Sequence, residues 1–191
     1  MSRTIFVFVS SVLALISPFI YARAILRGEA KPHRTTRFVL LLVTILSTAS
    51  LFAHHNTVAV WLAGVSTFQA IVISVLSIKR GMGGVAKIDL LCLVIALMGI
   101  VAWQTTQNPA VGLYFSILAD FTGMVPTLIK TFHFPKTEIA AFFMLDTVAS
   151  IFNLLATRTL ATVDVAYPMY LFLINGLMSL LILWPRVSRE A

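Results

Sequence analysis

The sequence predicts an all-α membrane protein of seven transmembrane helices, arranged as two parallel three-helix repeats joined by a linker helix. Three observations carry this prediction. Apolar residues make up 59% of the 191 positions and charged residues only 11%, against about one quarter charged in soluble domains. Seven apolar segments reach or approach the roughly 20 residues that cross the hydrocarbon core of a bilayer. Polar and proline landmarks recur in the two halves of the chain. A water-soluble fold of this size has to clothe itself in polar groups, and 14 basic and 7 acidic side chains are too few to do so, which makes lipid the expected solvent.

The segments are taken in order. The first, 4–26, follows Arg3 in the layout of a secretory leader. No Ala-x-Ala-like site follows it, however, and its apolar character continues past Pro18 to Leu26, so it reads as a retained span. The second, 36–54, and the third, 57–78, meet at His54 to Asn56. The fourth, 88–106, carries Cys92, the single cysteine, which permits neither a disulfide framework nor a multi-thiolate metal site. The fifth, 110–130, begins after Pro109; the sixth is 138–157 and the seventh 165–184. Every connection is short. The expected layout is 1–80 for the first repeat, 81–108 for the linker helix and 109–191 for the second repeat.

Basic residues set the expected orientation, because Lys and Arg flanking membrane spans are retained on the cytoplasmic side. Twelve fall on one side, namely Arg23, Arg27, Lys31, Arg34, Arg37, Lys79, Arg80, Lys87, Lys130, Lys136, Arg186 and Arg189, and two, Arg3 and Arg158, on the other. The N-terminus is expected outside and the C-terminus in the cytoplasm, in a plasma or inner membrane. The net charge of +7 sits between apolar runs and not on a basic stripe with interleaved aromatics, so no nucleic-acid partner is expected.

A set of landmark residues recurs in the two halves. Pro18 matches Pro126, 108 residues on, and each is followed by a basic loop holding a second proline, Pro32 or Pro135. Thr44, Ser47 and Ala53 match Thr147, Ser150 and Ala156 at a separation of 103. Gln69 matches Asn175, and Arg80 matches Arg186, at a separation of 106. A duplicated unit with an odd number of spans needs one extra helix to restore the orientation of its second copy. The fourth span fills that place.

This three-one-three order, with the N-terminus out, the C-terminus in and a proline in the first helix of each repeat, resembles the SWEET and PQ-loop superfamily of small-solute transporters over essentially the whole chain. The glutamine that follows the proline in PQ-loop proteins is replaced here by Phe19 and Thr127, and the second-helix prolines of SWEET proteins have no counterpart within a span. Asn175-Gly176 resembles the Asn-Gly of SWEET proteins, whose asparagine faces substrate at mid-membrane. The resemblance implies a substrate site at Asn175 and Gln69, hinges at Pro18 and Pro126, and a sugar-like or amino-acid-like cargo.

Two ionisable residues, Asp120 and Asp146, fall near the centres of the fifth and sixth spans, where a charge is costly and therefore faces a cavity or a partner. Each sits on a polar stripe at helical spacing: Gly112, Ser116, Asp120, Gly123 and Thr127; Asp146, Ser150, Asn153 and Thr157. Such stripes serve equally as helix seams. At the separations of 108 and 103 read from the first-span prolines and from the second-span landmarks, the acids correspond to Val12 and Val43, so they break the duplication and point to solute binding or proton coupling. His54-His55 lacks further ligands for a metal. Trp61, Trp103, Trp184, Tyr21, Tyr167 and Tyr170 mostly fall near span ends as interfacial anchors, and Tyr167 and Tyr170 are also placed to shape an outer cavity mouth. There is no HExxH or Gly-x-Ser-x-Gly motif. No enzyme, cofactor or metal site is expected; the implied partners are a small solute and the bilayer, and a homo-oligomer is left open. The alternative expectation is a membrane sensor or assembly factor that moves nothing.

Overall fold

The fold is seen in a computed structural model that describes residues 3–30, 32, 34–81 and 87–184, without the side chains of Lys130 and Thr137. Among these residues seven α-helices follow one another: α1 (Arg3–Arg27), α2 (Arg34–Ala53), α3 (Ala59–Arg80), α4 (Lys87–Thr106), α5 (Pro109–His133), α6 (Ala140–Ala156) and α7 (Thr162–Leu183). A short 3-10 turn, Pro135–Thr137, precedes α6. Among the described residues six helices are long and apolar enough to cross a membrane, and α6, with 17 residues, is shorter. At about 1.5 Å per residue it reaches about 26 Å, a little under the hydrocarbon thickness of about 30 Å. Lys31, Arg186 and Arg189, and with them the match of Arg80 to Arg186, lie outside the described residues.

Local chemistry explains where the helices stop. Gly28 adopts a left-handed φ of 76°, and the Gly28 and Glu29 N–H groups turn back to the carbonyls of Ile25 and Ala24 at 3.1 and 2.9 Å. This is a Schellman ending, which glycine permits at no steric cost. His55, with φ 56°, ends α2 the same way: it and Asn56 donate to Phe52 and Leu51 carbonyls, both at 3.0 Å. Asn56 then turns its side chain forward, and Oδ1 accepts the N–H groups of Val58 and Ala59 at 3.2 and 2.8 Å, satisfying donors that the start of α3 leaves open. At α5, Asn108 Oδ1 accepts from Ala110 N–H at 3.1 Å and Pro109 occupies the first helical position, where its missing N–H costs nothing.

The helices pack in a definite pattern. The most extensive contacts join α1 to α6, α4 to α5, α6 to α7 and α2 to α3; α1 also packs on α3, α2 on α5, and α5 on α7. Helix α4 lies at the edge, against α5 and α2. A Cβ at Gly99 of α4 would sit 2.5 Å from Phe115 Cβ of α5, so the glycine is what lets these two helices touch. Much of the outer surface is apolar: Phe8 is 68% exposed, Phe52 75% and Val101 62%. So large an apolar surface suits lipid contact and not water.

Buried apolar residues form two clusters along the bundle and a third at its side. One joins Tyr21, Ile25, Ile73, Phe142, Phe143 and Met178. It lies toward the end where Arg80 Nη1 donates to Leu26 O at 2.7 Å and Arg34 Nε to Gly81 O at 3.0 Å. The second joins Ala14, Leu51, Leu62, Leu113, Ala149 and Tyr167. It lies toward the opposite end, where Asn56 Nδ2 donates to Asp164 Oδ1 at 3.0 Å. The third ties α4 to α2 and α5 through Val43, Leu46, Ala96 and Ala119.

Candidate functional site

Between the first two clusters lies a cavity of about 110 Å3, room for several water molecules. Gln69, Asp120, Asp146 and Asn175 all line it, from α3, α5, α6 and α7. Each sits near the middle of its helix, at the depth where polar groups must find an interior partner. A second, larger groove of about 520 Å3 runs beside Leu51, Phe52, Trp61, Gly64 and Phe68. Its walls are almost wholly apolar, and none of the four polar residues reaches it, so the smaller cavity is the candidate site.

The side chains there are held individually. Ser17 of α1 donates to Asp146 Oδ1 at 2.6 Å, and Gln69 Nε2 donates to Asp146 Oδ2 at 2.9 Å. Tyr170 of α7 donates to Asp120 Oδ2. Asn175 Nδ2 donates within its own helix to Leu171 O at 2.9 Å. Gln69 and Asn175 therefore line one cavity without bonding to each other; the glutamine is committed to a carboxylate on a third helix.

The remaining expectations distribute unevenly. Of the stripe on α5, Asp120 and Thr127 face the cavity. Ser116 instead accepts from Ser47 across the α2–α5 seam at 2.8 Å, and a Cβ at Gly112 would meet Ser50 Oγ at 2.7 Å. On α6, Asp146 faces the cavity, while Ser150 donates back to Asp146 O and Asn153 Nδ2 reaches Val58 O. Each stripe is thus part cavity wall and part seam. Pro18 and Pro126 both lie inside continuous helices, but Pro18 is buried, next to Ser17, and Pro126 is exposed. Val12 is 37% exposed and Val43 fully buried.

No family model matches the chain, and no curated protein matches it. The site therefore has to be read from its own geometry.

Several residues were missed or misplaced by the sequence reading. Arg37 was counted as a flanking charge, yet it lines the cavity. Its Nη2 donates to Tyr21 OH at 3.2 Å, its guanidinium lies 5.4 Å from the centre of the Tyr21 ring, and Tyr21 OH donates to Glu138 Oε2 at 3.3 Å. The signal was there in the helical steps from Arg37 to Thr44 and Ser47, all on the cavity wall. Tyr21, Tyr167 and Tyr170 were expected as interfacial anchors, the last two with a second place at the mouth of a cavity, which both do line. Tyr21 and Tyr167 are instead buried at 1% and 3% exposure, and Tyr170 holds Asp120, because a phenol with an interior acceptor is better satisfied there than at the headgroups. Pro168, buried within α7, is a third intrahelical proline that the pairing of Pro18 with Pro126 left out of account.

Proposed function

We propose that the protein is a transporter that moves a small polar solute across the membrane by alternating access, with the cavity as its central site. The observation that carries this reading is the convergence of Gln69, Asp120, Asp146 and Asn175, from four helices, on one cavity at mid-helix. The two apolar clusters that bound it act as the two gates: Leu62 and Tyr167 of one and Ile73, Phe142 and Phe143 of the other contribute to its wall. Opening one while the other stays packed exposes the site to one side at a time.

The packing pattern supports the two-repeat architecture. Exchanging α1 with α5, α2 with α6 and α3 with α7 carries the contact α1–α6 onto α5–α2, α1–α3 onto α5–α7 and α2–α3 onto α6–α7, leaving α4 as the linker. In this reading the buried faces of α1 and α5 coincide best at a separation of 106, with Ser10 over Ser116, Ala14 over Asp120 and Ser17 over Gly123. The counterpart of Asp120 is then Ala14, another cavity residue, and not Val12. Pro18 is the hinge of α1. The excess of basic residues at one end favours a cytoplasmic C-terminus.

Asp120 and Asp146 supply groups that can take up a proton in one exposure and release it in the other. Asp120 faces Tyr170, with Arg37 the nearest cation on the wall; Asp146 faces Ser17 and Gln69. Uptake of labelled solutes into proteoliposomes tests transport directly. The cavity is smaller than the usual 300–1,000 Å3 of a ligand pocket, which favours a second reading, a sensor or assembly factor that moves nothing. Absence of uptake for every solute that binds would select it.

A further inference from the structure

We infer that the apolar groove along α3 is a lipid site that holds one acyl chain of a phospholipid from the adjoining leaflet. The groove, of about 520 Å3, is separate from the cavity and independent of any cargo. Val60, Trp61, Gly64, Val65 and Phe68 line it from α3, and their steps of three and four set them on one face of the helix. Helix α3 packs against both α1 and α2, which add Leu15 on one side and Leu51 and Phe52 on the other. A Cβ at Gly64 would meet nothing within 4 Å, so the absent side chain leaves room in the middle of the groove. The groove faces outward: Phe52, Trp61 and Phe68 are 75%, 60% and 41% exposed.

The reach of the groove matches one leaflet. At its inner limit, Leu15 is the middle residue of α1 and Phe68 lies at the middle of α3. At its outer limit, His55 and Thr57 belong to the turn between α2 and α3. From Val60 to Phe68 the helix rises about 12 Å, close to half of the hydrocarbon thickness of about 30 Å. A spanning helix of a second copy would cross both leaflets and outrun such a groove.

The polarity of the groove runs in the same direction. Its polar residues, His55, Asn56 and Thr57, gather at the outer end, with the Trp61 indole one turn further in, and the rest of the lining is apolar. Asn56 is already committed, capping α3 and donating to Asp164. Among the described residues no hydrogen bond engages the side chains of His55, Thr57 or Trp61. Imidazole, hydroxyl and indole can all donate, and the ester and phosphate oxygens of a phospholipid accept. Further in, an apolar wall with no atoms against it forfeits its dispersion contacts, which a hydrocarbon chain restores.

The experiment uses the purified full-length protein, stripped of lipid in dodecyl maltoside and titrated with palmitoyl-oleoyl phosphatidylcholine, with native mass spectrometry as the readout. One phospholipid per protein should bind at concentrations at least about tenfold below those at which further lipids attach. In a protein carrying Trp103→Phe and Trp184→Phe, which leaves Trp61 as the only tryptophan, phosphatidylcholine brominated on its chains should quench fluorescence over the same range. Gly64→Phe fills the groove and should weaken the first binding step at least about tenfold. Gly64→Leu, a smaller filler, guards against failure of the bulkier variant to fold, which elution volume and helicity would reveal. Lipids that attach with no preferred first step overturn the assignment, as does a folded, filled variant that keeps its first lipid, or a first lipid that leaves Trp61 unquenched. Cholesterol displacing the phospholipid would make the groove a sterol site, and a dimer that Gly64→Phe dissociates would make it a contact between copies; either result also overturns it.

Discussion

Gln69 and Asp146 are joined by a hydrogen bond of 2.9 Å from Nε2 to Oδ2, and Ser17 holds the second oxygen of the same carboxylate at 2.6 Å. One side chain of α6 thus fastens both α1 and α3, helices far apart in sequence.

The first prediction concerns that fastening. Gln69→Ala and Asp146→Ala should each lower stability by about 1–3 kcal/mol, the range for hydrogen bonds that involve a charged or buried group. The double variant should lose less than the sum, with a coupling of about 0.5–3 kcal/mol. Unfolding in mixed detergent micelles measures this. Additive losses would show that the contact contributes no pairwise energy.

Asp120→Asn and Asp146→Asn test proton coupling. Asparagine cannot ionise, so whatever part of the pH dependence of transport belongs to one carboxyl should vanish from its variant. At least one variant should show a flattened profile of uptake against pH in proteoliposomes. Two unaltered profiles would make both acids structural.

The prolines should separate. Pro18 is buried beside a residue that bonds to Asp146, whereas Pro126 is exposed. Pro18→Ala restores a backbone donor inside the bundle and is expected to slow uptake several-fold without loss of folded protein. Pro126→Ala should leave the rate near that of the unaltered protein. Equal effects would remove the distinction between one hinge and none.

A pair of glycines tests the packing of α4. A Cβ at Gly99 would crowd Phe115, while one at Gly64 meets nothing within 4 Å. Gly99→Ala should destabilise by about 1–3 kcal/mol through overpacking. Gly64→Ala should be neutral or gain up to about 1 kcal/mol from reduced chain entropy. Detergent unfolding of the two variants side by side gives the answer.

The helices were legible because a run of apolar residues has one stable form in lipid, and the polar positions within them were legible because such groups are driven inward. Asp120 and Asp146 were found on this ground, Gln69 and Asn175 from the repeat match and from the resemblance of Asn175-Gly176, and all four line the cavity. Their partners were not legible. Whether Asp120 meets Tyr170, or Asp146 meets Ser17, depends on the rotation of each helix about its axis, which packing decides and spacing does not. Arg37 was missed because a basic residue in the first turn of a span looks the same whether it faces headgroups or the interior. The match of Pro18 to Pro126 aligned two residues of the same type that lie on differently buried faces.

The arginines at one end of the bundle carry a consequence for topology mapping. Arg80 caps the carbonyl of Leu26 and Arg34 that of Gly81, so these side chains clip the ends of α1 and α3 as well as marking a side. Moving or reversing them to flip the protein in the membrane would unclip two helix ends at once, and a scrambled orientation would then report damage and not a sorting signal. Reporter fusions at the two termini leave the clips intact and should place the N-terminus outside and the C-terminus in the cytoplasm. Both reporters on one side would exclude an odd number of crossings. Charge swaps, if wanted, belong at Arg23 and Lys79, exposed positions in the same two helices.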